Sequence, residues 1–315
     1  MQSFPFVWQI GLLLGFGLVL TTAADMVLRA ATSLAKRYGL TSYTIGFLLF
    51  GLITSTPEFF VALESAADGV PQLAVGNLIG GSILLLSLVM GISSVLLGRI
   101  TLDHGLSFGE IALSSSVVAA PVIVLWDGSL SRTDGLFMVG LYALHVFLLN
   151  REKKILERLR KNNSKRHAGY DAATILVGFA AMAVSAKIIV ETAGSIASFF
   201  SIPPLVFGLI LLSLGTNLPE FALAVGAAIQ RKKTVAFADF LGSSAANTLI
   251  LGFLGLVSPF SFAAHQKLTV SLILLGSVVA YFVWALSSRR DITRKEGIGL
   301  LFFYAIFIIY ELLGQ

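Results

Sequence analysis

Ten stretches of this chain are each long and apolar enough to cross a bilayer, and that leaves few folds open to it. They lie at about 5–28, 40–66, 71–97, 107–126, 132–149, 171–193, 203–229, 234–257, 267–287 and 297–313. A membrane-crossing helix needs ~20 mostly apolar residues. With 56% of its 315 residues hydrophobic, 12% charged and a mean hydropathy of +0.89, the chain reads as a polytopic, all-α membrane protein. Soluble domains carry about twice that share of charge. The first apolar segment starts at Phe4 with no basic stretch before it and no clear cleavage site, so it reads as a retained helix rather than a signal peptide. Cysteine is absent, which excludes a disulfide framework and a thiolate metal site.

Charge sets the expected orientation. The longest polar interruption, Asn150 to His167, carries eight Lys or Arg residues and divides the chain into halves of five segments. Putting this linker in the cytoplasm fixes every other loop by alternation. All but three of the 22 basic residues then fall in cytoplasmic loops, the exceptions being Arg132, Lys187 and Lys267. So strong a bias is the positive-inside pattern of membrane loops and not a nucleic-acid surface. Both termini come out on the non-cytoplasmic side of a plasma or inner membrane. The domain plan is 1–149 as a first five-helix repeat, 150–170 as a basic cytoplasmic linker and 171–315 as a second repeat. An odd number of helices per half makes the second half enter from the opposite face, giving an inverted repeat, a common plan of secondary transporters.

The duplication is visible in the residues. FGLITSTPEFFVALESA around Glu58 and LSLGTNLPEFALAVGAA around Glu220 align at an offset of 162, placing Thr54 on Thr216, Pro57 on Pro219 and Glu58 on Glu220. The register runs without a gap from Gly46 on Gly208 to Ser82 on Ser244. A carboxylate inside a membrane segment is costly enough to be functional by default, and two copies related by inversion suggest two halves of one ion site. Pro57 and Pro219 each remove a backbone donor, so each helix should kink or break just before its glutamate. Carbonyls freed around Thr54 and Thr216 survive in lipid only where they face protein or a watery cavity. Carboxylates, hydroxyls and carbonyls together make a hard-oxygen site suited to Ca²⁺ or Na⁺, whereas softer metals favour Cys or His. No metal is assigned to His104, His145, His167 or His265, which are isolated in sequence.

A glycine-rich segment follows each glutamate, AVGNLIGGSILLL at 74–86 and AFADFLGSSAANTLI at 236–250. Gly76, Gly80, Gly81 and Gly242 suit close helix packing. Ser82, Ser243, Ser244 and Asn247 add oxygens. Asn77 and Asp239 are repeat-equivalent and expected near helix starts, where capping or packing accounts for them as well as ion binding does. The pairs Asp25/Lys187 and Arg29/Glu191 are also repeat-equivalent, on the first helix of each half.

These paired segments resemble the two α-repeats of the calcium/cation antiporter superfamily, most of all its sodium/calcium exchanger branch. That branch typically shows G-T-S-x-P-E on one helix and G-N-x-x-G-S-N-x-x-N/D on the next. GTNLPEF (215–221) with ADFLGSSAAN (238–247) is the fuller match, and ITSTPEF (53–59) with GNLIGGSILL (76–85) the weaker. The G-N-A-x-E usual in the proton-coupled branch is in neither copy. The resemblance implies an ion-coupled antiporter working by alternating access, with no resident cofactor, whose cargo is Ca²⁺ against Na⁺ or H⁺. It makes Glu58 and Glu220 the central metal ligands, with Thr54, Thr216, Ser55, Asn217, Ser82, Ser243 and Asn247 as further cation-binding candidates. Its expected partners are inorganic cations and the bilayer, with no nucleic acid. At the positions matching Ser243 and Asn247, the first repeat has Gly81 and Leu85, which offer no side-chain oxygen. Fewer Na⁺ per cycle, or partial drive by protons, is therefore expected.

Enzyme chemistry is not indicated. An intramembrane aspartyl protease would need both a Tyr-Asp and a Gly-x-Gly-Asp setting; Tyr170-Asp171 matches the first, but Gly-x-Gly-Asp does not occur here. Exchange of a different cation, or proton coupling, is the alternative within the same fold. A cation channel could use the same ligands and differs in not requiring a counter-ion.

Overall fold

The computed structural model describes residues 6–37, 54–101, 108–153, 168–218, 220–221, 235–262, 265–289 and 291–313. Parts of the expected segments 40–66 and 203–229, and most of the basic linker, lie outside them. The described chain is helical almost throughout: α1 (Phe6–Arg37), α2 (Thr56–Ala67), α3 (Pro71–Leu97), α4 (Phe108–Val124), α5 (Arg132–Lys153), α6 (Ala168–Phe199), α7 (Pro204–Thr216), α8 (Val235–Val257), α9 (His265–Arg289) and α10 (Arg294–Leu313). Helices α1, α3, α5, α6, α8, α9 and α10 hold stretches long and apolar enough to cross a membrane, and α4 and α7 are shorter apolar helices. This is an integral, multi-pass helical membrane protein.

Burial separates the centre from the periphery. Helices α3 and α8 are buried along most of their length, while α1, α5 and α10 turn most of theirs outward. One apolar core joins α3 and α8 to α4, α5, α9 and α10, with Leu78, Ile83, Leu85, Leu251, Leu275, Phe282 and Phe307 all buried. A second, smaller core pairs α1 with α6 through Leu20, Ala23, Val27, Met182, Ala186 and Val190, and adds Val61 of α2 and Phe207 of α7. At one end of that pair Ser33 Oγ donates to Asp171 Oδ2 at 2.7 Å. On its outer surface Asp25 and Arg29 form an exposed i, i+4 ion pair at 3.2 Å.

Two features bring backbones unusually close. Helices α3 and α7 cross at glycines: a Cβ on Gly76 would lie 2.2 Å from the Leu205 carbonyl oxygen, one on Gly80 2.2 Å from that of Leu209, and one on Gly208 2.3 Å from that of Leu73. Both helices carry a π-helical stretch, Leu84–Val89 in α3 and Gly208–Leu212 in α7. Such widened turns are frequent at functional sites. Glycines also set the α3–α10 crossing, where Gly297 meets Gly91, and the α5–α8 crossing, where Gly135 meets Gly252. Two short antiparallel ribbons tie loops together. The strand β1 (Arg99–Thr101) pairs with β4 (Asp291–Thr293), and β2 (Ser129–Leu130) with β3 (Phe260–Ser261).

Candidate cation site

Each glutamate follows an interruption in its helix. The chain makes a turn at Ser55 before α2 begins at Thr56, with Pro57 in the first turn, where its missing N–H costs nothing. Helix α7 stops at Thr216, with Asn217 as its C-cap, and helical geometry resumes at Leu218 and at 220–221. Glu58 sits in the first turn of α2, where the helix dipole favours negative charge. Glu58 and Glu220 are each only 1% exposed, far below what an uncompensated carboxylate tolerates.

The motif threonines brace the site across the fold. Thr54 Oγ1 and Ser243 Oγ are 3.0 Å apart, linking the entry of α2 to α8. Thr216 Oγ1 donates to Asn77 Oδ1 at 3.1 Å, linking α7 to α3. Position 81, equivalent to Ser243, is glycine, and Thr216 finds its partner one turn earlier at Asn77. Asn77 is therefore neither a cap nor near the helix start: it lies well inside α3, whose N-cap is Val70, and is fully buried. The side chain of its counterpart, Asp239, lies outside the described residues.

Asn217 and Asn247 complete the arrangement. Asn217 Nδ2 donates to the Ser213 carbonyl at 2.9 Å and to Thr216 Oγ1 at 3.2 Å. Asn247 Nδ2 reaches the Leu78 carbonyl and Ser82 Oγ, each at 3.3 Å, and Ser82 Oγ itself donates to Leu78 O at 3.0 Å. Ser82 and Asn247 also line a small cavity beside Thr248 and Pro121. Several buried acceptors have no hydrogen-bond partner among the described residues: both oxygens of Glu58, Ser55 Oγ and Asn247 Oδ1. Oxygens left bare in this way, two of them on a carboxylate, are what a cation would satisfy.

The sequence-predicted residues thus fall into linked groups: Thr54 with Ser243, Thr216 with Asn217 and Asn77, and Ser82 with Asn247. No group of three or more His, Cys, Asp or Glu residues capable of holding a metal occurs among the described residues. His145 is engaged with Ser114 Oγ at 2.9 Å between α5 and α4. Asn77 was open to capping in the sequence because its partner is 139 residues away.

Comparison with known proteins agrees with this architecture. The chain is 28% identical over 303 residues to inner membrane protein YrbG of Escherichia coli, covering 92% of each. It is 27% identical to sodium/calcium exchanger MaX1 of Methanosarcina acetivorans, covering 95% of this chain and 97% of that one. Among solved structures, the sodium-calcium exchanger NCX_Mj superposes with a TM-score of 0.68 at 21% identity over 96% of this chain and 98% of its own. The H⁺/Ca²⁺ exchanger CAX superposes with a TM-score of 0.79 at 17% identity over 99% and 87%. At such identities these likenesses concern the fold. The family model of the sodium/calcium exchanger protein matches residues 8–150 and 170–313, nearly the whole length, and the chain belongs to that family.

Proposed function

We propose that this protein is a secondary active antiporter that moves Ca²⁺ against Na⁺ or H⁺ by alternating access, with Glu58 and Glu220 as the central ligands. The observation that carries it is the Glu58 carboxylate, buried in the first turn of α2 with neither oxygen hydrogen-bonded among the described residues. The likeness to MaX1 and NCX_Mj, sodium/calcium exchangers, and to CAX, an H⁺/Ca²⁺ exchanger, supports the substrate class. Two buried negative charges resist passage through a low-dielectric barrier. A Ca²⁺ ion, or monovalent cations or protons, neutralises them, so a loaded site crosses and an empty one does not. One ion then leaves only as another returns.

The plan we infer is ten spans in two inverted halves, 1–149 and 171–315, joined by a cytoplasmic linker at 150–170, with both termini outside. Several contacts repeat at the motif offset of 162. Gly297 lies 162 residues after Gly135, and the α3–α10 crossing at Gly91 has its counterpart, one residue off that offset, in the α8–α5 crossing at Gly252. The ribbons β1·β4 and β3·β2 join segments related by the same offset, Arg99 to Ser261 and Ser129 to Asp291, with the pairing register shifted by two residues. In this plan the α1–α6 pair, with a core of its own, slides over the larger helix group to open the site to either side. Titrating the purified protein with Ca²⁺ tests the site. One ion should bind per chain and be displaced competitively by Na⁺ or by acid; no saturable Ca²⁺ binding would contradict the proposal.

A further inference from the structure

The two copies of the motif differ at several positions, and the fold brings two of those differences to one place. Where the first copy has Ser55 the second has Asn217, and where the second has Ser243 the first has Gly81. A Cβ on Gly81 would stand 2.9 Å from Asn217 Nδ2 and 3.2 Å from Asn247 Nδ2. Asn217 thus fills the space that a side chain at 81 would need. Its orientation is set chemically: Ser213 O accepts only, so the amide nitrogen must face it, and Thr216 Oγ1 is its second acceptor. Asn247 is turned the same way by the Leu78 carbonyl.

The mirror position in the other half has the opposite chemistry. There Ser243 Oγ meets Thr54 Oγ1, and Ser55 Oγ is buried with no partner among the described residues. Hydroxyl oxygens on one side face a cation with lone pairs. On the other side the Asn217 amide nitrogen spends both its hydrogens on Ser213 O and Thr216 Oγ1 and stands where a hydroxyl at position 81 would need room, so no such oxygen is offered there. We propose, building on the antiporter function above, that Asn217 and Gly81 form a plug closing one of two symmetry-related positions for a monovalent cation. The site then holds only the charge that Glu58 and Glu220 neutralise, and each cycle exchanges one divalent cation for two monovalent ones with no net charge moved.

The test uses the full-length protein in liposomes, with Ca²⁺ flux followed under a Na⁺ gradient and, separately, a pH gradient, while K⁺ and valinomycin impose a membrane potential. Flux should be indifferent to the potential and rise with the driving cation with a slope of about two, set by the carboxylate charge. Gly81→Ser alone should lower the rate about tenfold, because the new side chain meets a pinned amide. The double variant Gly81→Ser/Asn217→Ser should recover that loss, a non-additivity expected of touching residues. It should also make flux respond to potential and steepen its cation dependence. Asn217→Ser alone, which only removes atoms, should show the same change in part. Wild-type exchange driven by the potential, or variants with unaltered potential response, would overturn the plug while leaving the antiporter in place. Absence of any counter-ion-coupled flux in the wild type would overturn both.

Discussion

Replacing either Glu58 or Glu220 by glutamine should bring cation exchange down to background in a protein that still folds. Glutamine keeps the shape of each side chain and removes one of the two charges of the proposed site. A unit charge about 4 Å away at an effective dielectric of ~20 is worth ~4 kcal/mol, or about a thousandfold in affinity. The stability effect has the opposite sign. Glu58 is a buried carboxylate with neither oxygen hydrogen-bonded among the described residues, so neutralising it relieves a desolvation cost. Without added cations the Glu58→Gln melting temperature should equal or exceed that of the parent. Stabilisation by Ca²⁺, which follows from binding the folded state alone, should vanish. Glu64→Gln on the same helix is the control: Glu64 is half-buried, six residues from Glu58 and thus on another face, and exchange should stay near normal. Near-normal Ca²⁺ uptake by either site variant would refute the two-carboxylate site.

Gly76→Leu should have the largest effect on folding. The added Cβ would lie 2.2 Å from the Leu205 carbonyl oxygen and 2.9 Å from the Leu209 amide nitrogen. Those atoms are backbone on a helix that cannot yield locally, so α3 and α7 must separate. Overpacking of a tight core costs roughly 1–3 kcal/mol where side chains can adjust, and more is expected where only whole helices can. The same displacement would pull Thr216 from Asn77 and so disturb the site as well. Loss of monodisperse protein, or a large fall in melting temperature, is the expected outcome in detergent. Gly11→Leu is the matched control, since nothing lies within 4 Å of a Cβ there. A Gly76→Leu protein as stable as the parent would contradict the close helix crossing.

What could be read from the sequence was what lipid makes obligatory. Helical spans stand out because ~20 apolar residues must follow one another, and α3, α5, α8 and α9 fall where that pattern placed them. The interruptions at Ser55 and Asn217 were legible because Pro57 and Pro219 cannot continue a helix entered from before them. Glu58 and Glu220 stood out as carboxylates in an apolar setting repeated at one offset. The tertiary details were not legible. Gly76 and Gly80 could be read as packing residues, but their partners Leu205 and Leu209 are set by how α3 meets α7. Asn77 resembled a cap until its bond to Thr216 was visible. Gly81 read as a missing ligand on its own, and only the position of Asn217 shows that the space is filled.

The most direct test of a site that crosses only when its two carboxylates are neutralised is Ca²⁺ flux across a sealed membrane with and without a counter-cation. Purified protein in liposomes should take up Ca²⁺ when Na⁺ or protons are supplied on the opposite side. With an impermeant organic cation in their place, uptake should fall to that of protein-free vesicles. Sustained Ca²⁺ flux with no exchangeable cation opposite would mean that ions pass through an open pathway, and the alternating two-carboxylate mechanism would be wrong.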